Sequence, residues 1–134
     1  MAPEEGVLVP HKQEIPHYHG DEVRILFLIA GLIAIFAQST GAGLPLSTSG
    51  VVLGSVLLVI AAGITNPKQV WIHWVNFTLA LLGSFIFCRA AILHYREDFN
   101  VFDGAFIYIE ALALISLVSL YFTIRTIRGI MLRP

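Results

Sequence analysis

The sequence predicts an all-α integral membrane protein, folded as an up-down bundle of four transmembrane helices. The first observation is composition: of 134 residues, 57% are hydrophobic and 13% are charged, whereas roughly a quarter of a soluble domain is charged. The second is a mean hydropathy of +0.80. The third is that the apolar residues fall into four stretches separated by short polar segments. Most of the surface is therefore expected to face something other than water.

The four spans are predicted at about residues 23–40, 45–65, 69–94 and 104–125. A helix needs about 20 residues to cross the roughly 30 Å hydrocarbon layer, and the last three stretches reach that length. The first is somewhat short, unless Asp21 and Glu22 begin the helix and Arg24 extends its charge to the interface.

Helix-start signals lie between the spans. Ser47 precedes the second helix and is a candidate N-cap. The link from Asn66 to Gln69 is short enough to make the second and third helices an antiparallel hairpin, with Pro67 expected at the first helical position.

The polar ends predict the orientation of the spans. Residues 1–22 form a polar tail without the apolar centre of a cleavable signal peptide, so the first span is expected to direct insertion. Residues 126–134 form a short basic tail. Basic residues concentrate on the side that holds both termini, namely Lys12, Arg24, Lys68, Arg125, Arg128 and Arg133, against Arg89 and Arg96 on the other. The positive-inside rule then places both termini at the cytoplasmic, inner side of a cytoplasmic or inner membrane.

Small residues predict where helices approach each other. In lipid, close backbone packing replaces the hydrophobic effect as the force between helices. Small residues spaced three or four apart occur on the first three helices: Gly31, Ala34, Gly50, Gly54, Ala80 and Gly83.

Arg89 and Glu110 are the most informative charged residues. Each lies inside an apolar span, where an ionisable side chain is costly and marks a functional or pairing site. Antiparallel third and fourth helices would place them at equal depth, which predicts an intramembrane ion pair. One alternative is that Glu110 binds a proton or cation. The other is that Arg89 extends its charge outward and Glu110 meets a different subunit.

A polar face is predicted on the third helix, where His73, Asn76 and His94 recur at helical spacing. The histidines could bind a metal or haem if other chains supplied the remaining ligands; interhelical hydrogen bonding requires no cofactor. His17, His19 and Asp21 are candidate metal ligands in the tail, although their spacing matches no closed site. No metal and no cofactor are predicted. The single cysteine, Cys88, is expected to be a small buried hydrophobe.

These features predict a non-catalytic accessory or structural subunit of a larger membrane complex. Phosphate loops, HExxH and nucleophile–histidine motifs are absent from the sequence, so no enzyme is predicted. A net charge of −1 argues against nucleic acid. The expected partners are the lipid bilayer and other membrane subunits or further copies of the chain. The first alternative is a small homo-oligomeric transporter or channel that uses Glu110 and Arg89. The second is a cofactor-binding membrane anchor that uses His73 or His94.

Overall fold

The computed structural model describes residues 17–41, 44–98 and 104–132. Within these ranges it is all-helical, with four helices: α1 (Gly20–Ser39), α2 (Thr48–Ile64), α3 (Trp71–Asp98) and α4 (Gly104–Leu132). This confirms the predicted helical class and the number of helices. Residues 1–16 of the predicted tail, with Lys12, and Arg133 in the basic tail lie outside the described residues. Much of the predicted basic tail continues α4.

The two helix-start predictions have different outcomes. Ser47 caps α2 as expected: it is extended, and its side-chain oxygen accepts a hydrogen bond from the backbone N–H of Gly50 at 3.1 Å. The prediction for Pro67 is wrong, because α3 begins at Trp71. Asn66 accepts hydrogen bonds from the backbone N–H groups of Lys68 and Gln69, which holds Pro67 in a turn before the helix.

The Ser47 cap gives a first testable prediction. Ser47→Ala should destabilise the protein by about 1 kcal/mol, because one N–H of the first turn of α2 loses its partner. Ser49→Ala, an exposed change inside the same first turn, is the matched control and should shift stability by less than about 0.5 kcal/mol. Thermal unfolding followed by circular dichroism compares the two. Equal effects would show that the cap contributes nothing particular.

The contacts between pairs of helices differ in extent. The contact between α3 and α4 is the most extensive, α1 packs against both α2 and α4, and α2 touches α3 little. The short link keeps the end of α2 near the start of α3. Although these two helices were expected to form a hairpin, α2 packs mainly against α1 and α3 mainly against α4. A small apolar cluster lies where these contacts meet: Val23, Phe27, Ala61, Ala62, Ile72 and Ala80.

Large apolar side chains cover much of the outside of the fold, and several polar side chains are buried beside the apolar core. Large apolar side chains are exposed on all four helices, including Leu32 at 72% and Phe85 at 69%. Polar side chains are buried between the helices: Ser55, Thr65, His73, Asn76, Ser84, Ser119, Thr123 and Thr126. By length and composition, two helical segments, Trp71–Glu97 and Phe106–Leu132, suffice to cross a membrane, and α2 is a shorter apolar helix.

Candidate functional site

A buried polar cluster joins the end of α2 to the start of α3. We use "polar cluster" for Tyr18, Thr65, Asn66, His73 and Asn76. Asn76 is fully buried, and its Nδ2 donates to Thr65 Oγ1 at 2.8 Å. The Thr65 hydroxyl donates in turn to the carbonyl of Ala61 at 2.7 Å. This chain of bonds ties α3 to the last turn of α2.

His73 closes the other side of the polar cluster. It is buried, and its Nε2 lies 3.1 Å from the carbonyl oxygen of Asn66, so this nitrogen carries the proton and donates. Tyr18 meets the imidazole edge-on, with ring centroids 5.4 Å apart. Burial raises the pKa of Tyr18 above its ordinary value. The Tyr18 hydroxyl lies against Gly20, at a place where any Cβ would collide with it.

The hydrogen bonds of the polar cluster connect the end of α2 to the start of α3, which is a structural role. Asn76 Nδ2, Thr65 Oγ1 and His73 Nε2 donate within the chain. The Asn76 Oδ1 and the Tyr18 hydroxyl are buried without a hydrogen-bond partner among the described residues. None of the five members of the polar cluster is an aspartate, glutamate, lysine, arginine or cysteine.

Of the three residues predicted as a polar face, His73 and Asn76 belong to the cluster. His94 lies at the opposite end of α3, where its ring packs on Phe106 at 5.0 Å. The two histidines therefore lie at opposite ends of α3.

Arg89 and Glu110 lie at the same level but are not paired. Gly83 faces Ser116 and His94 faces Phe106, which fixes α3 and α4 as antiparallel and sets Arg89 level with Glu110. Both side chains are exposed on the outside of the helix pair. The ion pairs recorded among the described residues join other side chains, His19 to Glu22 and Arg24 to Asp21. No ion pair between the two is present among the described residues, and their equal depth within a membrane stays a prediction.

The candidate metal ligands in the tail are engaged elsewhere. His17 Nδ1 lies 3.2 Å from the guanidinium of Arg125, and His19 Nδ1 lies 2.7 Å from Glu22. Asp21 lies 3.8 Å from Arg24. In the part of the chain that the structure describes, no three histidine, cysteine or acidic side chains are placed to hold a metal ion.

The small residues predicted to mediate packing divide into two groups. A Cβ at Gly83 would come 2.8 Å from Ser116 Oγ, and one at Gly31 would come 3.6 Å from the Ser55 carbonyl. Ala80 is buried and Ala34 is half-buried. Gly50 and Gly54 do not lie in a helix contact: Gly50 faces its own preceding turn, and a Cβ at Gly54 would meet no atom. The buried residues of α2 in this region, Val51 and Ser55, lie one position further along and form the contact stripe instead.

A basic cleft lies between the C-terminal turns of α4 and His17, which precedes α1. We use "basic cleft" for the site lined by His17, Tyr121, Arg125, Arg128 and Leu132, with a volume of about 380 Å³. The α4 members recur every three or four residues and so share one face. His17 is brought to them because the neighbouring His19 N–H donates to Thr126 Oγ1 at 2.8 Å. This combination joins positions more than a hundred residues apart.

Some of these residues were missed from the sequence. Ser119, Thr123 and Thr126 are buried on α4 and share one face at helical spacing, a signal as clear as the one read on the third helix. Tyr18 had no such signal, because its role depends on the fold of the tail. Comparison with known proteins adds nothing to the site: no protein-family model, curated protein or solved structure matches this chain.

Proposed function

We propose that this chain is an integral membrane protein with four spans, both termini on the inner side, and that it is a non-catalytic subunit of a larger membrane assembly. The observation that carries the membrane location is the exposed apolar surface. Within an 18-residue window of each candidate span, 17% of the residues in α3 and 28% of those in α4 are buried within the chain, whereas the core helix of a soluble protein is mostly buried. The large apolar side chains that remain exposed need a non-aqueous surrounding.

The subunit role is supported by Arg89 and Glu110. Both are charged and exposed. Arg89 lies about two and a half turns before the end of α3, and Glu110 lies nearly two turns after the start of α4. A charge facing lipid tails costs about 2.5–3.5 kcal/mol near the centre of a span, and such residues usually face protein or water. A neighbouring chain that offers hydrogen bonds or opposite charge at this level would remove that cost. The surface around these two residues is therefore the expected contact with a partner.

The polar cluster supports a non-catalytic role. Its members bond to each other and to nearby backbone, which stabilises the α2–α3 connection. Glu110 lies on the outside of the helices rather than between them, so one chain offers it no enclosed pathway.

A homo-oligomeric transporter is the second candidate, favoured by one observation. Arg89 and Glu110 lie level, exposed and opposite in charge, so two copies could pair them across an interface. A pathway that uses Glu110 would then lie between copies.

The test is purification of the tagged full chain from its own membrane after gentle solubilisation, followed by native mass spectrometry. We expect the chain to carry other membrane subunits. Glu110→Gln and Arg89→Gln should each reduce the recovered partner by about tenfold, the equivalent of about 1.4 kcal/mol. Glu97→Gln, an exposed acid near the end of α3, is the matched control and should leave recovery unchanged.

Reconstitution separates the two candidates. Wild-type chain in sealed vesicles should move no proton or cation faster than empty vesicles. A saturable flux that disappears in Glu110→Gln, together with a mass that fits copies of this chain alone, would replace the subunit by the transporter.

A further inference from the structure

We propose that the basic cleft binds the phosphate group of an anionic phospholipid. This site is separate from the Arg89 and Glu110 surface and lies at the opposite end of the helices. A phospholipid and a soluble phosphate would bind here through the same group, a phosphate that accepts hydrogen bonds from the guanidinium groups and other donors. The lipid as its source rests on the proposed membrane location, whereas a soluble phosphate would not require it.

The first step is charge. Arg125 and Arg128 lie on one face of the last turns of α4, and within residues 17–41, 44–98 and 104–132 no carboxylate lies within ion-pair distance of either. The C-terminal end of a helix contributes about −0.5 of a charge, so the cleft keeps roughly one and a half positive charges. A bound anion would neutralise this positive charge of Arg125 and Arg128.

The second step is preorganisation of Arg125. Its Nη1 donates to the Tyr121 hydroxyl at 2.8 Å, and its guanidinium lies 5.7 Å from the centre of the Tyr121 ring. Its Nη2 lies 3.2 Å from His17 Nδ1. A guanidinium can only donate, so His17 Nδ1 accepts and Nε2 carries the ring proton. Arg125 is therefore held in place before a ligand arrives, which lowers the entropic cost of binding.

The third step is the match to phosphate. A guanidinium presents donors in a planar fork that fits two phosphate oxygens, which an ammonium cannot do. Arg128 adds a second fork one turn away. Tyr121 and Leu132 add apolar surface beside these donors. A volume of about 380 Å³ exceeds what a bare ion needs and suits a phosphate with an apolar substituent.

The position of the cleft agrees with a headgroup. It lies at the end of α4 that is predicted to face the inner leaflet, next to the exposed Tyr121, Met131 and Leu132. Inner leaflets carry anionic lipids that attract basic residues close to the interface. A phospholipid bound here would place its phosphate at the arginines and its chains along the apolar helices.

The experiment is isothermal titration calorimetry on the purified full chain in an uncharged detergent. The probes are dihexanoyl phosphatidic acid, dihexanoyl phosphatidylcholine and inorganic phosphate. We expect phosphatidic acid to bind most tightly. Arg125→Gln and Arg128→Gln should each weaken that binding by about tenfold or more, since a charge-assisted hydrogen bond is lost. Arg125→Lys should retain part of the affinity.

Arg24→Gln is the matched control. Arg24 is an exposed arginine at the same end of the molecule, but it lies beside Asp21 and outside the cleft, so its loss should change the affinity less than about twofold. Helix content by circular dichroism verifies that each variant is folded.

Each outcome decides the proposal. Inorganic phosphate that binds as tightly as phosphatidic acid, with the same dependence on Arg125, would keep the phosphate site and reject the lipid. Absence of binding by both phosphatidic acid and inorganic phosphate would reject the site, and so would a loss in Arg24→Gln equal to that in Arg125→Gln. The measurement uses the chain without partners, so its result is independent of the proposed subunit role.

Discussion

Gly83→Leu is expected to separate α3 from α4 and to destabilise the protein by about 3 kcal/mol, because overpacking of a close contact costs about 1–3 kcal/mol and sometimes more. A single Cβ at this position would already come 2.8 Å from Ser116 Oγ. This contact lies in the most extensive helix pair of the fold, so the change cannot be absorbed at a free surface. Unfolding in an SDS titration, followed by circular dichroism, measures the loss.

A smaller substitution tests the reason for that effect. Gly83→Ala should cost about 1 kcal/mol, since the Ser116 hydroxyl can rotate away. Ser116→Ala removes this oxygen and leaves the nearest side-chain atom, Cβ, at 3.5 Å, so the double variant should regain most of the loss. Gly54→Ala is the matched control, because a Cβ there meets nothing within 4 Å, and alanine should equal or exceed glycine in helix stability. Equal losses at Gly83 and Gly54 would disprove the close approach.

Asn76→Ala is expected to produce the second large effect, a loss of about 2–3 kcal/mol. The change removes a buried hydrogen bond, leaves Thr65 Oγ1 without its donor and opens a cavity. Because Asn76 is fully buried, water cannot replace the missing group at its surface. Thr78→Ala, on an exposed part of the same helix, is the control and should cost less than about 0.5 kcal/mol. Thermal unfolding reports both.

A double-mutant cycle identifies the partner of Asn76. Thr65→Val removes the hydroxyl that accepts from Asn76 Nδ2. If the bond contributes as its geometry indicates, the two substitutions together should cost at least about 0.5 kcal/mol less than the sum of the single losses. Strict additivity would show that the two side chains stabilise the α2–α3 connection independently.

The sequence predicted the helices well because their signals are local. Apolar stretches and polar breaks locate four helices, and Ser47 identifies the start of α2, since a cap needs only the next three residues. The start of α3 was misplaced for a related reason. Asn66 can turn the chain by bonding to Lys68 and Gln69, and this turn competes with a proline-led helix start.

Candidate sites were predicted less completely. Equal depth for Arg89 and Glu110 follows from antiparallel helices and short connections. Whether the two side chains face each other depends on the rotation of each helix about its axis, which no residue count supplies. The same rotation decides that Gly31 and Gly83 lie in helix contacts, whereas Gly50 and Gly54 do not.

By itself, the sequence determined the helical class, the four helices and the polar positions along each, because composition and hydrophobic periodicity act within one segment. Tertiary structure alone decided which polar groups meet. His17 reaches Arg125, Tyr18 meets His73 and Asn76 bonds to Thr65, and each contact joins separate segments. The physical reason is that helix rotation and the choice of neighbours are set by the sum of many weak packing contacts, whereas a helix is specified by its own residues.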